Sequence, residues 1–220
     1  MSLSTKEKIM AEATRYFNEV GFGAVTLFEL ARELNMSRGN LAYHFKDKEA
    51  LLAAIAGQMW QKIERERSKS RQLPSFENLH NEVQLYYKFQ REYAFIFLDH
   101  HVLNHPVIKE DSRKMTTQTI QDNKAAIAFS IRLGNMKPEP YPGVYNNLAF
   151  ISWMMAFFWL PQQVIRGEKT EEDGEKMIWS MLVPHLTEKG LESFQAFFGE
   201  AYLQSLGEVF DLDLHQFISF

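Results

Sequence analysis

The chain has 220 residues, 45% of them apolar, enough for one or two small domains with a full core. It has no Cys, which excludes disulfides, a thiolate nucleophile and a cysteine metal site and suits a reducing cytoplasm. The net charge of −4 is unusual for a nucleic-acid binder, but it is unevenly spread. Residues 1–50 balance Lys6, Lys8, Arg15, Arg32, Arg38, Lys46 and Lys48 against Glu7, Glu12, Glu19, Glu29, Glu33, Asp47 and Glu49, whereas residues 191–220 hold five acidic side chains and no Lys or Arg. The acid excess lies away from the N-terminal end, and the zero balance there implies modest non-specific DNA affinity. With 11 Gly and 7 Pro, long helices are favoured over strands. The N-terminus shows no basic, apolar, small-residue succession, so no signal peptide is read.

Ser4 with Glu7 makes a capping box and opens a first helix, with Ile9, Ala13 and Phe17 down one face and Gly21 as its C-terminal cap. Thr26 with Glu29 makes a second capping box, after which Leu27, Leu30, Ala31 and Leu34 repeat at helical spacing. Asn35 tolerates a left-handed backbone and suits a tight turn, and Ser37 can cap the next helix. In that helix Leu41 and Phe45 point inward, while Gly39, Asn40, Ala42, Tyr43 and Lys46 fall on the opposite side. This is a helix-turn-helix pattern. A fourth helix runs from near Asp47 to about Ser70 on Leu51, Leu52, Ile55, Met59 and Ile63; the mixed charges of 61–71 read as a solvated face.

Beyond the break at 72–75, one long helix is expected through Asp99, apolar over more than one face. His101 and His105 are four apart, but with Pro106 next to them and no His-Glu-x-x-His, the segment 99–105 reads as a polar loop and not as a metal site. Lys109–Leu133 is a further helix, and 134–143, with three Pro and two Gly, is the clearest loop. Leu148–Leu160 is the most apolar run; at 13 residues it is too short to cross a bilayer and reads as part of a buried helix over 144–166. That helix is apolar all round, so one side is expected to face a second subunit. Thr170 with Asp173 opens the next helix, Pro184 kinks or ends it, and a segment with Phe194, Phe197, Phe198 and Tyr202 follows. No phosphate loop, dinucleotide fingerprint, nucleophile elbow or paired-carboxylate site is present, so no catalytic residue, resident metal or cofactor is expected and the chain is read as a non-enzyme.

Gly21-Phe22, Val25-Thr26, Leu30-Ala31, Met36 to Leu41, Tyr43-His44-Phe45 and Lys48 to Leu51 together resemble, at fixed spacing, the DNA-binding domain of the TetR family of bacterial transcription regulators. The likeness covers residues 5–52 and departs from the family at Asn35, where glycine is common, and at Ala42, where tyrosine is common. It implies an all-α fold with a three-helix head over 1–47 and a larger helical effector-binding and dimerisation domain over 48–220. It further implies a cytoplasmic regulator, a repressor, bound as a homodimer to a palindromic double-stranded operator. Arg38, Asn40 and Tyr43 are the base-reading candidates. Thr26, His44 and Lys48 carry over as phosphate contacts, and Ser37 sits within the matched DNA-binding motif. The dimer is expected to pair the helices at 144–166 and 171–188 as a four-helix bundle. An effector, lipophilic if Phe97, Phe129, Trp153, Met154 and Phe157 line its pocket, would pivot the fourth helix; plain core is the preferred reading of the same residues. No membrane is implied. Two alternatives stay open: a helical carrier of lipids or small molecules, and an interaction protein that no longer reads DNA.

Overall fold

Ser4 is extended and its hydroxyl accepts from the Glu7 N–H at 3.2 Å, while the Glu7 carboxylate takes the Ser4 N–H at 2.7 Å; the computed structural model describes residues 4–70, 74–167 and 174–208. This reciprocal cap launches α1 (Thr5–Val20), which stops at Gly21, a residue with φ of 91°. Next come α2 (Leu27–Glu33), α3 (Arg38–His44) and α4 (Lys48–Ser70). Ile9, Phe17, Leu30, Leu41, Leu51 and Ile55 are almost wholly buried.

The long helix expected through Asp99 is instead two, α5 (Phe76–Glu92) and α6 (Ala94–Leu98), broken at Tyr93. Asn18, at the end of α1, supplies the reason. Its side-chain amide donates to the Glu92 carbonyl at 2.9 Å and its side-chain oxygen accepts from the Phe95 N–H at 2.9 Å. Those are backbone groups that a continuous helix would pair internally. Lys62 of α4 reaches the same joint, donating to the Glu92 carboxylate at 2.7 Å and the Tyr93 hydroxyl at 3.0 Å.

Residues 99–105, expected as a loop, hold a short helix, α7 (His100–Leu103), capped by Asp99. Pro106 opens α8 (Pro106–Arg132), using the one helical position where its missing N–H costs nothing. His105 turns its Nδ1 to the Val107 N–H at 3.3 Å, and among the described residues no group of three or more His, Asp or Glu could hold a metal. Then follow α9 (Val144–Arg166), α10 (Gly174–Leu182), α11 (Glu188–Phe198) and α12 (Glu200–Gln204). The Thr170–Asp173 cap and the last dozen residues fall outside the described residues. α9 continues through Pro161 and is 23 residues long, so the argument that the apolar run is too short for a bilayer does not hold. By length and composition alone it could span one, although one of its faces, with Tyr145, Leu148, Ala149 and Trp159, is buried. No strand occurs among the described residues; one isolated bridge pairs Met136 with Leu186.

The chain divides into two compact units. The first takes residues 1–71 and 85–117 and therefore contains the whole three-helix head; the second takes 72–84 and 118–220. In the second unit the end of α8 is held by the start of α11. Thr187 donates its hydroxyl to the Gly134 carbonyl at 2.7 Å, and Lys189 donates to the Leu133 carbonyl at 2.7 Å. These close carbonyls that a helix C-terminus leaves open. Gly190 lets the two approach: a Cβ there would overlap the Asn135 carbonyl.

Candidate nucleic-acid interface

Thr26, Asn35 and Ser37 fix the shape of the turn between α2 and α3. Thr26 accepts from the Glu29 N–H at 3.2 Å and its own N–H goes to the Glu29 carboxylate at 2.8 Å. This bonding, with the hydroxyl of Thr26 donating as well, holds the Glu29 carboxyl below its ordinary range. Asn35 has φ of 51°, the one positive φ at a non-glycine among the described residues. Around it the Met36 N–H reaches the Ala31 carbonyl at 3.0 Å and the Asn35 N–H the Arg32 carbonyl at 3.1 Å. That bond pair is the Schellman arrangement, in which asparagine does the work usually given to glycine. Ser37 then accepts from the Asn40 N–H at 3.1 Å and starts α3.

α3 is pinned from behind by Leu41 and by Phe45, which Lys6 covers at 5.4 Å from the ring centre. Its other side is open. Arg38, Gly39, Asn40, Ala42 and Tyr43 are all exposed, Tyr43 to 85%. Asp47 caps α4 by accepting from the Ala50 N–H at 2.6 Å. Lys48 turns back into the head, donating to the Phe22 and Val25 carbonyls at 2.8 and 2.9 Å and lying 4.3 Å from the centre of the Phe22 ring.

The seven residues expected at DNA therefore separate by what their polar atoms already do. Arg38, Asn40 and Tyr43 present side chains outward from one short helix. Thr26, Ser37 and Lys48 hold the fold, and two of the three Lys48 donors are occupied. His44 is half-buried with its ring edge-on to Tyr43 at 5.2 Å.

Local bonding also explains how a head of zero net charge can face a polyanion. Glu7 and Glu29 sit in capping boxes, Asp47 caps α4, and Glu12, Glu19 and Glu33 all pair with Arg15 at 3.0, 2.8 and 2.8 Å. Lys6, Lys8, Arg32 and Arg38 form no ion pair with another described residue. Opposite charges gathered on Arg15 act over a short range, since exposed charges are screened within about 10 Å.

The five residues read as a pocket do not share one unit. Phe97 is buried in the first, edge-on to Tyr86 at 6.1 Å. Phe129, Trp153, Met154 and Phe157 are in the second, where Trp153 stacks along α9 with Phe150 and Phe157 at 5.3 and 5.4 Å and Met154 is exposed. Unread in the sequence were two buried polar atoms of the first unit: Trp60 Nε1 and Ser112 Oγ meet no hydrogen-bond partner. Burial raises the pKa of the Tyr86 hydroxyl, and the Gln90 side chain partly offsets it. Nothing in helical periodicity marks such atoms, because Trp and Tyr pass as apolar in any pattern.

Residues 9–55 match the family described as bacterial regulatory proteins, tetR family, and residues 56–194 match the family described as bacterial transcriptional repressor. The HTH-type transcriptional regulator YhgD of Bacillus subtilis is 25% identical over 143 residues, 63% of this chain and 75% of that one. A TetR-family transcriptional regulator from Marinobacter aquaeolei has a similar fold, with a TM-score of 0.78 at 19% identity over 94% of this chain and 99% of that one. AibR, solved in complex with isovaleryl coenzyme A and operator DNA, aligns with a TM-score of 0.61 at 18% identity over 83% of this chain and 98% of that one.

Proposed function

The chain belongs to the TetR family of bacterial regulatory proteins and is a DNA-binding transcriptional regulator, not an enzyme; from that premise we propose that it is an effector-released repressor, acting in the cytoplasm as a homodimer on a palindromic operator. The observation that carries the reading is the outer face of α3. Arg38, Asn40 and Tyr43 stand free on a helix whose inner side and both ends are fixed by packing and caps. Arg suits guanine and Asn suits adenine through paired hydrogen bonds in the major groove. Thr26, Ser37, His44 and the remaining donor of Lys48 lie at the edges of that face, where phosphates would pass.

A palindrome needs two heads, and α9 supports the second copy. Phe150, Ile151, Met154, Phe158 and Ile165 are exposed and recur on one side of the helix, opposite the buried side of Tyr145, Leu148, Ser152 and Trp159. A stripe of that size in water marks a contact surface, and a symmetric partner offers the same stripe; the second helix of the expected four-helix bundle is α10, which ends at Leu182 before the turn at Pro184 and does not run on to 188. No membrane is needed to cover the stripe. For the effector, Trp60 and Ser112 favour the interior of the first unit over the aromatic run on α9: two donors buried without acceptors suit an uncharged ligand with acceptor oxygens.

Selection of bound sequences from a random duplex library tests the core of the proposal. A palindrome should emerge, with affinity falling steeply as salt rises. Asn40→Ala and Tyr43→Ala should each cost about 30-fold or more over two half-sites, at roughly 1–3 kcal/mol per base contact, with melting temperature unchanged. Recovery of no motif at low salt would sink the reading.

A further inference from the structure

Phe28 is a large aromatic side chain left 54% exposed on the second residue of α2. The core does not use it, for the buried residues of α2 are Leu30 and Ala31, and Phe28 stands about 110° round the helix from the centre of that stripe. Beside it lies Arg38, the first residue of α3. The guanidinium carbon lies 5.5 Å from the centre of the Phe28 ring, within reach of a cation–π contact. The Arg38 side chain has no hydrogen bond or ion pair to another described residue, so the ring is what holds it.

Resting on the reading of α3 as the recognition helix, we propose that Phe28 is a positioning residue for Arg38, a shelf that sets the guanidinium for a guanine edge. The chemistry of the pair permits both contacts at once. Stacking uses the flat face of the guanidinium, whereas guanine O6 and N7 are bonded through N–H groups on its edge. A long side chain already laid on a ring loses less rotamer freedom when it grips a base. An exposed phenylalanine beside a DNA-facing arginine thereby gains a reason that neither residue supplies alone.

The test uses the full chain and its selected operator. The base pair read by Arg38 is the one whose replacement penalises the unaltered protein but not Arg38→Ala. At that pair Phe28→Leu should lower discrimination about threefold per half-site, or about tenfold over the dimer, given the strength of exposed cation–π contacts. Phe28→Tyr should restore it, and melting temperature should not move. In an Arg38→Ala background Phe28→Leu should leave operator affinity unchanged, because no guanidinium remains to be positioned. In the free protein the Arg38 Cδ protons should show an upfield ring-current shift that Phe28→Leu removes. An equal loss in both backgrounds, a loss spread evenly over all base pairs, or a fall in melting temperature would each overturn the proposal. Absence of the ring-current shift overturns it too while leaving the regulator reading intact, and failure to select any operator removes both.

Discussion

The head and helix α9 both commit side chains to solvent, and they do so with opposite chemistry. On α3 the outward residues are an arginine, a glycine, an asparagine, an alanine and a tyrosine, small or polar groups that water solvates well. On α9 they are Phe150, Ile151, Met154 and Phe158. Exposure therefore has two meanings in one chain. The polar face can wait in water for a groove lined with hydrogen-bonding edges. The apolar face is costly in water, at roughly 25 cal/mol per Å², and the proposed second copy would cover it. On that proposal one partner is a regulated association and the other a permanent one.

The strongest way to break this contrast is to give α9 the chemistry of α3. Phe158→Glu would place a carboxylate at the centre of the proposed seam, twice over by symmetry. An unpaired charge buried in an interface costs several kcal/mol, so dimerisation should weaken by about a thousandfold or more. Analytical ultracentrifugation should show a folded monomer, and operator affinity should fall with it because one head reads half a palindrome. A dimer of unchanged strength would remove α9 from the interface.

A second substitution separates the regions by sign. Gly39 on α3 has nothing within 4 Å of an added Cβ, whereas at Gly190 the Cβ meets the Asn135 carbonyl. Gly190→Ala should destabilise by about 1–3 kcal/mol, the usual cost of forcing extra atoms into packed structure. Gly39→Ala should be neutral or raise stability by up to about 1 kcal/mol through helix propensity. Thermal melts of the two variants read both effects, and equal shifts would show that the α8–α11 junction yields.

That difference also explains what the sequence disclosed. The caps that shape the head are local. Ser4 with Glu7, Thr26 with Glu29, and Ser37 with Asn40 each close within three residues, so spacing alone exposes them. The expected turn at Asn35 and the inward Leu41 and Phe45 follow the same logic. What escaped depends on partners far along the chain. Asn18 breaks the helix at Tyr93 across 77 residues, and the buried Glu175 accepts from His80 at 2.7 Å, Gln84 at 2.9 Å and Trp179 at 2.7 Å, the first two more than 90 residues away. No periodicity predicts an acidic residue that is 1% exposed. Of the interface, the outward set on α3 was legible, but the inward turn of Lys48 and the ring under Arg38 depend on tertiary contacts.

The buried polar atoms of the first unit give a finer test, since they separate function from fold. If Trp60 Nε1 and Ser112 Oγ await a ligand, then Trp60→Phe and Ser112→Ala remove unmet donors and should leave stability unchanged or raise it by up to about 1 kcal/mol. Binding of Nile red, an uncharged fused-ring ketone, should weaken about fivefold in each, the scale of one lost hydrogen bond. Melting temperatures and a fluorescence titration decide it. A fall in both melting temperatures would mean that water already satisfies these atoms and that the effector site lies elsewhere, with the aromatic run on α9 the next to test.

The smallest effect expected is electrostatic and belongs to the head alone. Hydrogen bonds from Ser4 and Thr26 hold the Glu7 and Glu29 carboxyls below the ordinary 4.5. A folded-state value below the unfolded one adds stability that is complete above pH 4.5 and is lost as pH falls through the lowered values. Both groups are fully exposed, so the gain is small, but its sign is fixed. Lys62 behaves in the reverse way. Burial lowers it, yet Glu92 and Tyr93 outweigh burial and leave it raised, so its contribution disappears only on the alkaline side of 10.5. Acid titration should therefore loosen the caps of α1 and α2 while the α4–α5 joint keeps its charged lysine. In the double variant Glu7→Gln, Glu29→Gln, the amide oxygens can still accept the Ser4 and Thr26 N–H groups, but they carry no titrating proton. The slope of stability against pH below 4.5 should flatten in that variant and remain steep in the unaltered protein. Identical slopes would mean that the two caps contribute nothing to the head's acid sensitivity.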